Sequence, residues 1–302
     1  MAYHQSFDVL EGTLSTRLTV LTFNAGLLRV RVLGATLNAP VPFVAERLQA
    51  LPAALASVNA DLVALQEIYE EPHRLWLAQE LRHKFPYAAW VQDHGIAQVS
   101  NGLMTLSRYP LEAPAFELFA NAPFGERHLA RKGFLSCVVR TLAFGPVRFF
   151  NTHTASGGIL GYTVNPLHER LRGKQVAQLN RAAKLRQDEA VLVAGDFNAG
   201  PESSPGNYRE ILADGFLDAY AEAKVRRGPL VTWDPQNPLT IDGPHRNAPA
   251  QRVDHVFIPL SSSRLFHVEN AHIVLDRPTI ETDGGPVTPS DHYGLLVHLY
   301  RK

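Results

Sequence analysis

The 302-residue chain has little of several things that would narrow its role at once. It carries one cysteine, Cys137, so no internal disulfide can form. The apolar neighbours Leu135, Val138 and Val139 mark that thiol as a buried structural group rather than a nucleophile. Lysine plus arginine and aspartate plus glutamate each number 29, giving a formal net charge of zero. A globally basic surface for non-specific nucleic-acid binding is therefore not implied. Only two modest basic clusters occur, at 126–132 (ERHLARK) and 224–227 (KVRR). No apolar run approaches the roughly 20 residues that cross a bilayer, so no transmembrane segment is expected. The opening residues lack a basic start followed by a long apolar stretch. A cytoplasmic location is the default expectation, with secretion as the alternative if a signal was removed. No internal repeat or low-complexity tract is present.

What remains is a globular composition, 45% hydrophobic and 19% charged, long enough for one large α/β domain spanning 1–302. Strand patterns fall at 17–23, 61–65, 88–91, 102–107, 135–142, 147–152, 190–194, 252–258, 267–275 and 293–299. Helical spacing marks 43–58, 72–84 and 167–186, while 200–207 and 233–249 are rich in Pro, Gly and Asn and read as loops. Several strands follow one another with no helix between them. The pattern predicts mixed sheets flanked by helices rather than a doubly wound parallel sheet.

The polar residues of interest cluster where strands end: Asn24, Glu67, Asn151–His153, Asp196–Asn198 and Asp291–His292, with Asp254 inside the strand 252–258. Acidic and amide groups at the ends of buried strands gather on one sheet edge. Glu, Asp and Asn offer hard oxygen ligands, and no cysteine accompanies them. That set suits Mg²⁺, or alternatively Mn²⁺ or Ca²⁺, and suits structural zinc poorly. A histidine oriented by a carboxylate can serve as a base that activates water, and Asp254 is the candidate partner of His292. Taken singly, each residue has a plainer reading. Asn24 suits a turn, Glu67 a surface acid, Asp196 a helix cap, and the histidines a satisfied core. Together they describe a site only if they converge.

The ordered blocks LTFNAG, LVALQEIYE, GLMTLSRYP, FFNTHT, VLVAGDFNAGP, QRVDHVFI and SDHYGLLVHL resemble the endonuclease/exonuclease/phosphatase superfamily over nearly the whole chain. The resemblance implies a four-layered α/β sandwich of the DNase I-like kind, with two mixed sheets face to face and helices outside. It implies that Asn24, Glu67, Asp196 and Asp291 hold a metal, with Glu67 a direct ligand. Asp254 and His292 match the orienting carboxylate and general base. Asp196 would contact the nucleophilic water or a metal, Asn198 would bind a phosphate oxygen, and His153 would donate to the phosphate or assist the leaving group.

Within the superfamily the chain is most similar to the neutral sphingomyelinase branch, through residues 101–110 (NGLMTLSRYP), 130–135 (ARKGFL), 151–154 (NTHT) and 231–234 (VTWD). Lys132-Gly133-Phe134 is the most telling block, and Lys132 is a candidate for the substrate phosphate, or else an ordinary cation at a strand entry. The implied activity is phospholipase C-type hydrolysis of sphingomyelin or a related phospholipid, the membrane surface being the place to meet it. Secreted bacterial members resembling this chain carry an aromatic hairpin that enters membrane; here 276–289 (DRPTIETDGGPVTP) is polar. Substitute apolar rims are loop 155–165, with Ile159, Leu160, Tyr162 and Val164, and the segment around Phe119 and Phe124. The alternatives are a nuclease of the same superfamily, a phosphatase of soluble substrates, and a non-catalytic binding module. Near-neutral charge disfavours the phosphatase, and the intact residue set disfavours the binding module. The sequence is silent on oligomeric state.

Overall fold

The first strand, Arg17–Asn24, is RLTVLTFN, an alternation in which odd and even positions face opposite ways. Leu21 and Phe23 pack on one side and Leu18 and Val20 on the other, and all are fully buried. A strand buried on both faces must lie between two layers, which fixes the architecture that follows.

A computed structural model describes residues 16–32, 35–92, 100–123, 126–156, 166–185, 189–243 and 245–302. Its elements run β1 (Arg17–Asn24), β2 (Val30–Val32), β3 (Ala35–Asn38), α1 (Val44–Ser57), β4 (Leu62–Gln66), α2 (Glu71–Leu81), β5 (Tyr87–Ala89), β6 (Met104–Ser107) and β7 (Leu111–Leu118). A π-turn at Glu126–Ala130 leads to β8 (Gly133–Thr141), β9 (Gly145–His153), α3 (Pro166–Lys184), β10 (Ala190–Asp196), α4 (Pro205–Ala213) and β11 (Phe216–Asp218). Then come α5 (Ala219–Glu222), β12 (Val225–Arg227), β13 (Asp254–Pro259), β14 (Phe266–Val274) and β15 (Gly294–Arg301).

A seven-stranded sheet has the order β12-β14-β15-β1-β4-β6-β5, and a six-stranded sheet the order β11-β13-β10-β9-β8-β7. Both are mixed: β1 runs parallel to β4 and antiparallel to β15, and β10 runs parallel to β9 and antiparallel to β13. The layer between them is Leu18, Val20, Leu62, Val147, Phe149, Leu192, Val256, Leu295 and Val297. Leu51, Leu55, Leu77 and Leu81 of α1 and α2 cover the outside of the first sheet, and Val176, Leu179 and Ile211 of α3 and α4 the outside of the second. The four-layered sandwich is therefore present.

One strand went unassigned in the sequence reading and two expectations are corrected. β7 (LEAPAFEL) gave no strand signal because it holds a proline and two acids. It pairs with β8 as an edge strand whose register shifts between Glu112 and Ala115, the one place where Pro114 is tolerated. The stretch 200–207 is not all loop, since α4 opens with Pro205 in its first turn, where the missing N–H costs nothing. Phe119 is not part of an exposed rim: it is fully buried, its ring 5.8 Å from that of Phe134. Phe124, Ile159, Leu160, Tyr162 and Val164 lie outside the described residues.

Where the inter-sheet layer turns polar, one side chain ties the sheets together. Asn151 Nδ2 donates to the Leu65 and Met104 carbonyls, both at 3.0 Å, and Asn151 Oδ1 accepts from Gln66 Nε2 at 2.8 Å. Asn151, expected among the site residues, is thus a structural bridge. Asn151→Ala removes these three buried hydrogen bonds between the sheets and is expected to lower stability by about 2–3 kcal/mol in urea unfolding. An unchanged midpoint would refute the bridge.

Candidate active site

The alternation that builds the core also delivers the site. On β1 the inward series Leu18, Val20, Thr22 ends at Asn24; on β9 the series Val147, Phe149, Asn151 ends at His153; on β10 the series Ala190, Leu192, Ala194 ends at Asp196. The antiparallel β13 starts where β10 ends, with Asp254 opposite Asp196. Asp254 therefore opens its strand rather than lying inside it. His292 precedes β15, and Glu67 follows β4 in a left-handed backbone (φ 61°) that a glutamate rarely adopts. Parallel strands end and antiparallel strands begin at one edge, so all these residues meet there.

The contacts are short. Asn24 Nδ2 donates to Asp196 Oδ2 at 2.9 Å and to Glu67 Oε1 at 3.3 Å, bridging the two carboxylates. His292 Nδ1 pairs with Asp254 Oδ2 at 2.9 Å, and its Nε2 lies 3.9 Å from Asp196 Oδ2. Lys132 Nζ donates to His153 Nε2 at 2.9 Å and to the Thr154 carbonyl at 2.8 Å, and His153 Nε2 lies 3.3 Å from Asp196 Oδ2. Asn198, also left-handed (φ 46°), donates its side-chain amide to the Thr154 carbonyl at 3.0 Å, while its backbone N–H reaches Asp196 Oδ1 at 2.8 Å. Asp291 accepts from Ser290 Oγ at 3.1 Å.

Electrostatics sort these groups into roles. Burial pushes the Glu67 carboxyl up to about 7, and nearby Asp291 adds to the push. Burial also opposes the charged form of His292, but Asp254, Asp196 and Asp291 outweigh it and raise the ring to about 10. Burial and then the Lys132 charge drive His153 down to about 3, so its ring is neutral. Because Lys132 can only donate, His153 Nε2 accepts and its proton sits on Nδ1. The cation at this corner is Lys132, a buried side chain and not an ordinary strand-entry lysine.

Buried carboxylates bridged by a single amide repel one another, and a cation bound among them would offset that repulsion. Asp196, Asp254 and His292 place ligand atoms within 4.8 Å of one another and could hold an ion. His292 Nδ1 is already committed to Asp254, however. Glu67 and Asp291 each accept through one oxygen, both Asp196 oxygens already accept, from the Asn198 N–H and from Asn24, and Asp254 Oδ1 is buried without a partner, while Asn24 links Glu67 to Asp196.

Groups that the sequence reading passed over position these loops. Arg74 on α2 donates to the Ile68 carbonyl at 2.7 Å and to Ser100 Oγ at 2.5 Å, holding the turn that follows Glu67. Arg172 on α3 donates to the carbonyls of Asn198 and Ala155. Behind the Asp196–Asn198 turn, Arg252 Nη1 donates to Asp218 Oδ2 at 2.6 Å and to His255 Nδ1 at 2.8 Å, which leaves His255 Nε2–H for the Ala199 carbonyl at 2.9 Å. Gly195 serves the same turn: a Cβ there would lie 2.1 Å from the Thr152 carbonyl oxygen. The available signal was an arginine in step with an apolar stripe, as in Arg74, Leu77, Leu81 and Arg172, Val176, Leu179.

The model of the endonuclease/exonuclease/phosphatase family matches residues 21–292. The chain belongs to this family. A curated relative, sphingomyelinase C 2 of Leptospira interrogans serogroup Icterohaemorrhagiae serovar Lai, is 21% identical over 257 residues, covering 80% of this chain and 40% of the relative. The chain thus spans about 40% of that relative's length. Sphingomyelinase C from Streptomyces griseocarneus superposes with a TM-score of 0.75 at 21% identity, over 93% of this chain and 99% of that one. A beta toxin variant from Staphylococcus aureus, with magnesium ions bound, gives 0.74 at 18% identity over 94% and 99%. At these identities the superpositions establish the shared fold.

Asp218 provides a stability test of the loop support. Burial works to raise its carboxyl, but His255, Arg252 and Tyr208 hold it well below its ordinary 3.8. A depressed folded pKa contributes stability that is present above about pH 4 and lost as pH falls further. Asp218→Asn is expected to cost roughly 3–5 kcal/mol at pH 7, with the gap from wild type narrowing below pH 4. A pH-independent gap in chemical denaturation would overturn this.

Proposed function

We propose that the protein is a divalent-metal-dependent phosphodiesterase of the sphingomyelinase type, cleaving sphingomyelin or a related phospholipid into a phosphorylated head group and a lipid. The observation that carries the reading is the buried Asp254–His292 pair opening onto Asp196, with Asn24, Glu67, Lys132 and His153 around the same point. Asp254 Oδ2 accepts a hydrogen bond from His292 Nδ1–H and so turns Nε2 toward the pocket, as a general base requires. Asp196, 3.9 Å from that nitrogen, is placed to orient the attacking water. Lys132 brings a fixed positive charge to the phosphoryl oxygens, and His153 keeps the ammonium in place.

Glu67, Asp196 and Asp291, with Asn24 holding the first two, would bind the ion, for which Mg²⁺ fits the hard oxygen set. Bound there, the ion would neutralise phosphoryl charge and offset the carboxylates that keep His292 protonated.

The lipid assignment rests on Lys132-Gly133-Phe134, on the other branch-like blocks, and on the similarity to proteins named sphingomyelinases. The segment 276–289 sets a limit on how lipid is met. Its apolar members Ile280 and Val287 are bridged to each other and buried with Val41 and Leu239, while Arg277, Glu281 and Asp283 face solvent. Among the described residues, this hairpin therefore buries Ile280 and Val287 instead of presenting them to a membrane.

A panel of sphingomyelin micelles, phosphatidylcholine, bis-p-nitrophenyl phosphate and plasmid DNA, each with Mg²⁺ or EDTA, tests the reading. Sphingomyelin turnover should require Mg²⁺ and fall about 10²–10⁴-fold in His292→Ala, and Glu67→Ala should lose comparable activity. Steeply salt-dependent DNA cleavage without lipid turnover would replace the lipid reading with a nuclease. Turnover indifferent to EDTA would overturn the metal reading.

A further inference from the structure

Arg47 lies on α1 in step with Leu51 and Leu55, so it faces the core, and it is 0% exposed. Among the described residues its hydrogen bonds all go to backbone carbonyls. Nε donates to Pro42 at 2.9 Å, Nη1 to Ala25 at 2.8 Å and Pro289 at 3.3 Å, and Nη2 to Gly26 at 2.6 Å. Ala25 and Gly26 form the turn directly after Asn24, and Pro289 lies two residues before Asp291. The two segments also touch. Gly26 is left-handed (φ +57°), and a Cβ on it would lie 2.5 Å from Asp291 Oδ1, 3.1 Å from Ser290 Oγ and 3.5 Å from Arg47 Nη1. The charges that act on the guanidinium most are Asp291 and then Glu67.

We propose that Arg47 is a positioning residue that fixes the gap between the Asn24–Glu67 half of the site and the Asp291–His292 half, and thereby sets the affinity for the divalent cation. The cation part of this inference rests on the metal reading proposed above. The planar guanidinium spans carbonyls from three segments, which the single ammonium of a lysine could not reach together. Two roles predict opposite signs. If Arg47 served only as a counter-charge, its removal would tighten cation binding, because a positive charge beside the site repels the ion. If it holds the two halves in register, its removal weakens binding despite that relief.

The test uses the full chain and the variants Arg47→Lys, Arg47→Met and Gly26→Ala, with the exposed Arg209→Met as control. Mg²⁺ titration calorimetry is run where circular dichroism shows each protein folded. Hydrogen–deuterium exchange of the metal-free proteins follows peptides covering 24–28 and 288–293, with β10 as reference. Arg47→Lys and Arg47→Met should bind Mg²⁺ roughly 10-fold or more weakly, with exchange raised in both loop peptides and unchanged in β10. Arg209→Met should match wild type. Unchanged or tighter Mg²⁺ binding in the Arg47 variants, or loop exchange equal to wild type, overturns the proposal. Should Arg47→Met fail to fold, Arg47→Lys and Gly26→Ala decide by the same two measurements. Wild-type protein giving no Mg²⁺ heat would overturn the metal reading and the cation part of this one. The exchange arm would still decide whether Arg47 spans the two halves.

Discussion

The structure depends on one constraint: the two sheets share a single apolar layer, and that layer must end somewhere. Along β1, β9 and β10 the inward residues begin as leucine, valine, alanine and phenylalanine, turn polar at Thr22 and Asn151 on the first two strands, and end at Asn24, His153 and Asp196. A period of two leaves no freedom at that point. If these residues faced outward, they would fall among the helices packed on the sheets, where a carboxylate has no partner. The parallel pairing of β1 with β4 and of β9 with β10 brings equivalent ends level, and the antiparallel β13 and β15 begin beside them. Packing and chemistry are thus settled by the same side-chain alternation.

Much of this could be read from the chain alone, for a physical reason. Long buried strands carry a strong signal, and the polar residues that break it are conspicuous. Asn24, Glu67, Asp196, Asp254 and His292 were visible because each interrupts or ends an apolar run. β7 gave no such signal, because an edge strand is stabilised by its neighbour and not by its own composition. Asn151 was visible as a polar residue, but its role was not. Nothing local distinguishes an amide that binds a ligand from one that joins two sheets. The arginines were hidden for a different cause. Arg47, Arg74 and Arg172 bond carbonyls of distant loops, which leave no trace in a sequence pattern, and the partners of Arg252, Asp218 and His255, are recognisable only once the chain is folded.

His153 and Lys132 show how a pair can exchange roles once geometry is known. The histidine is the residue that draws the eye, since imidazole titrates near neutrality. Deep burial beside an ammonium removes that capacity, and a neutral ring that accepts from Lys132 becomes the support of a fixed cation. His292 is buried to a similar degree but faces Asp254 and Asp196, and its ring is driven the opposite way. The same side chain, on the same sheet edge, is set to contrary protonation states by the charge of its nearest neighbour.

The site also has to store negative charge without consuming it. Glu67 and Asp196 share the Asn24 amide and Asp291 acts on Glu67 through its charge, and an arginine paired directly with any of them would stabilise the fold while occupying the oxygens a ligand needs. Arg47 avoids that conflict. Among the described residues its hydrogen bonds go to carbonyl oxygens of turns and to no carboxylate. Its charge, unlike its hydrogen bonds, acts at a distance and still reaches Asp291 and Glu67 through a buried medium. Short-range bonding and long-range charge are thereby assigned to different partners of one side chain. This allows an acidic pocket to stay both folded and open.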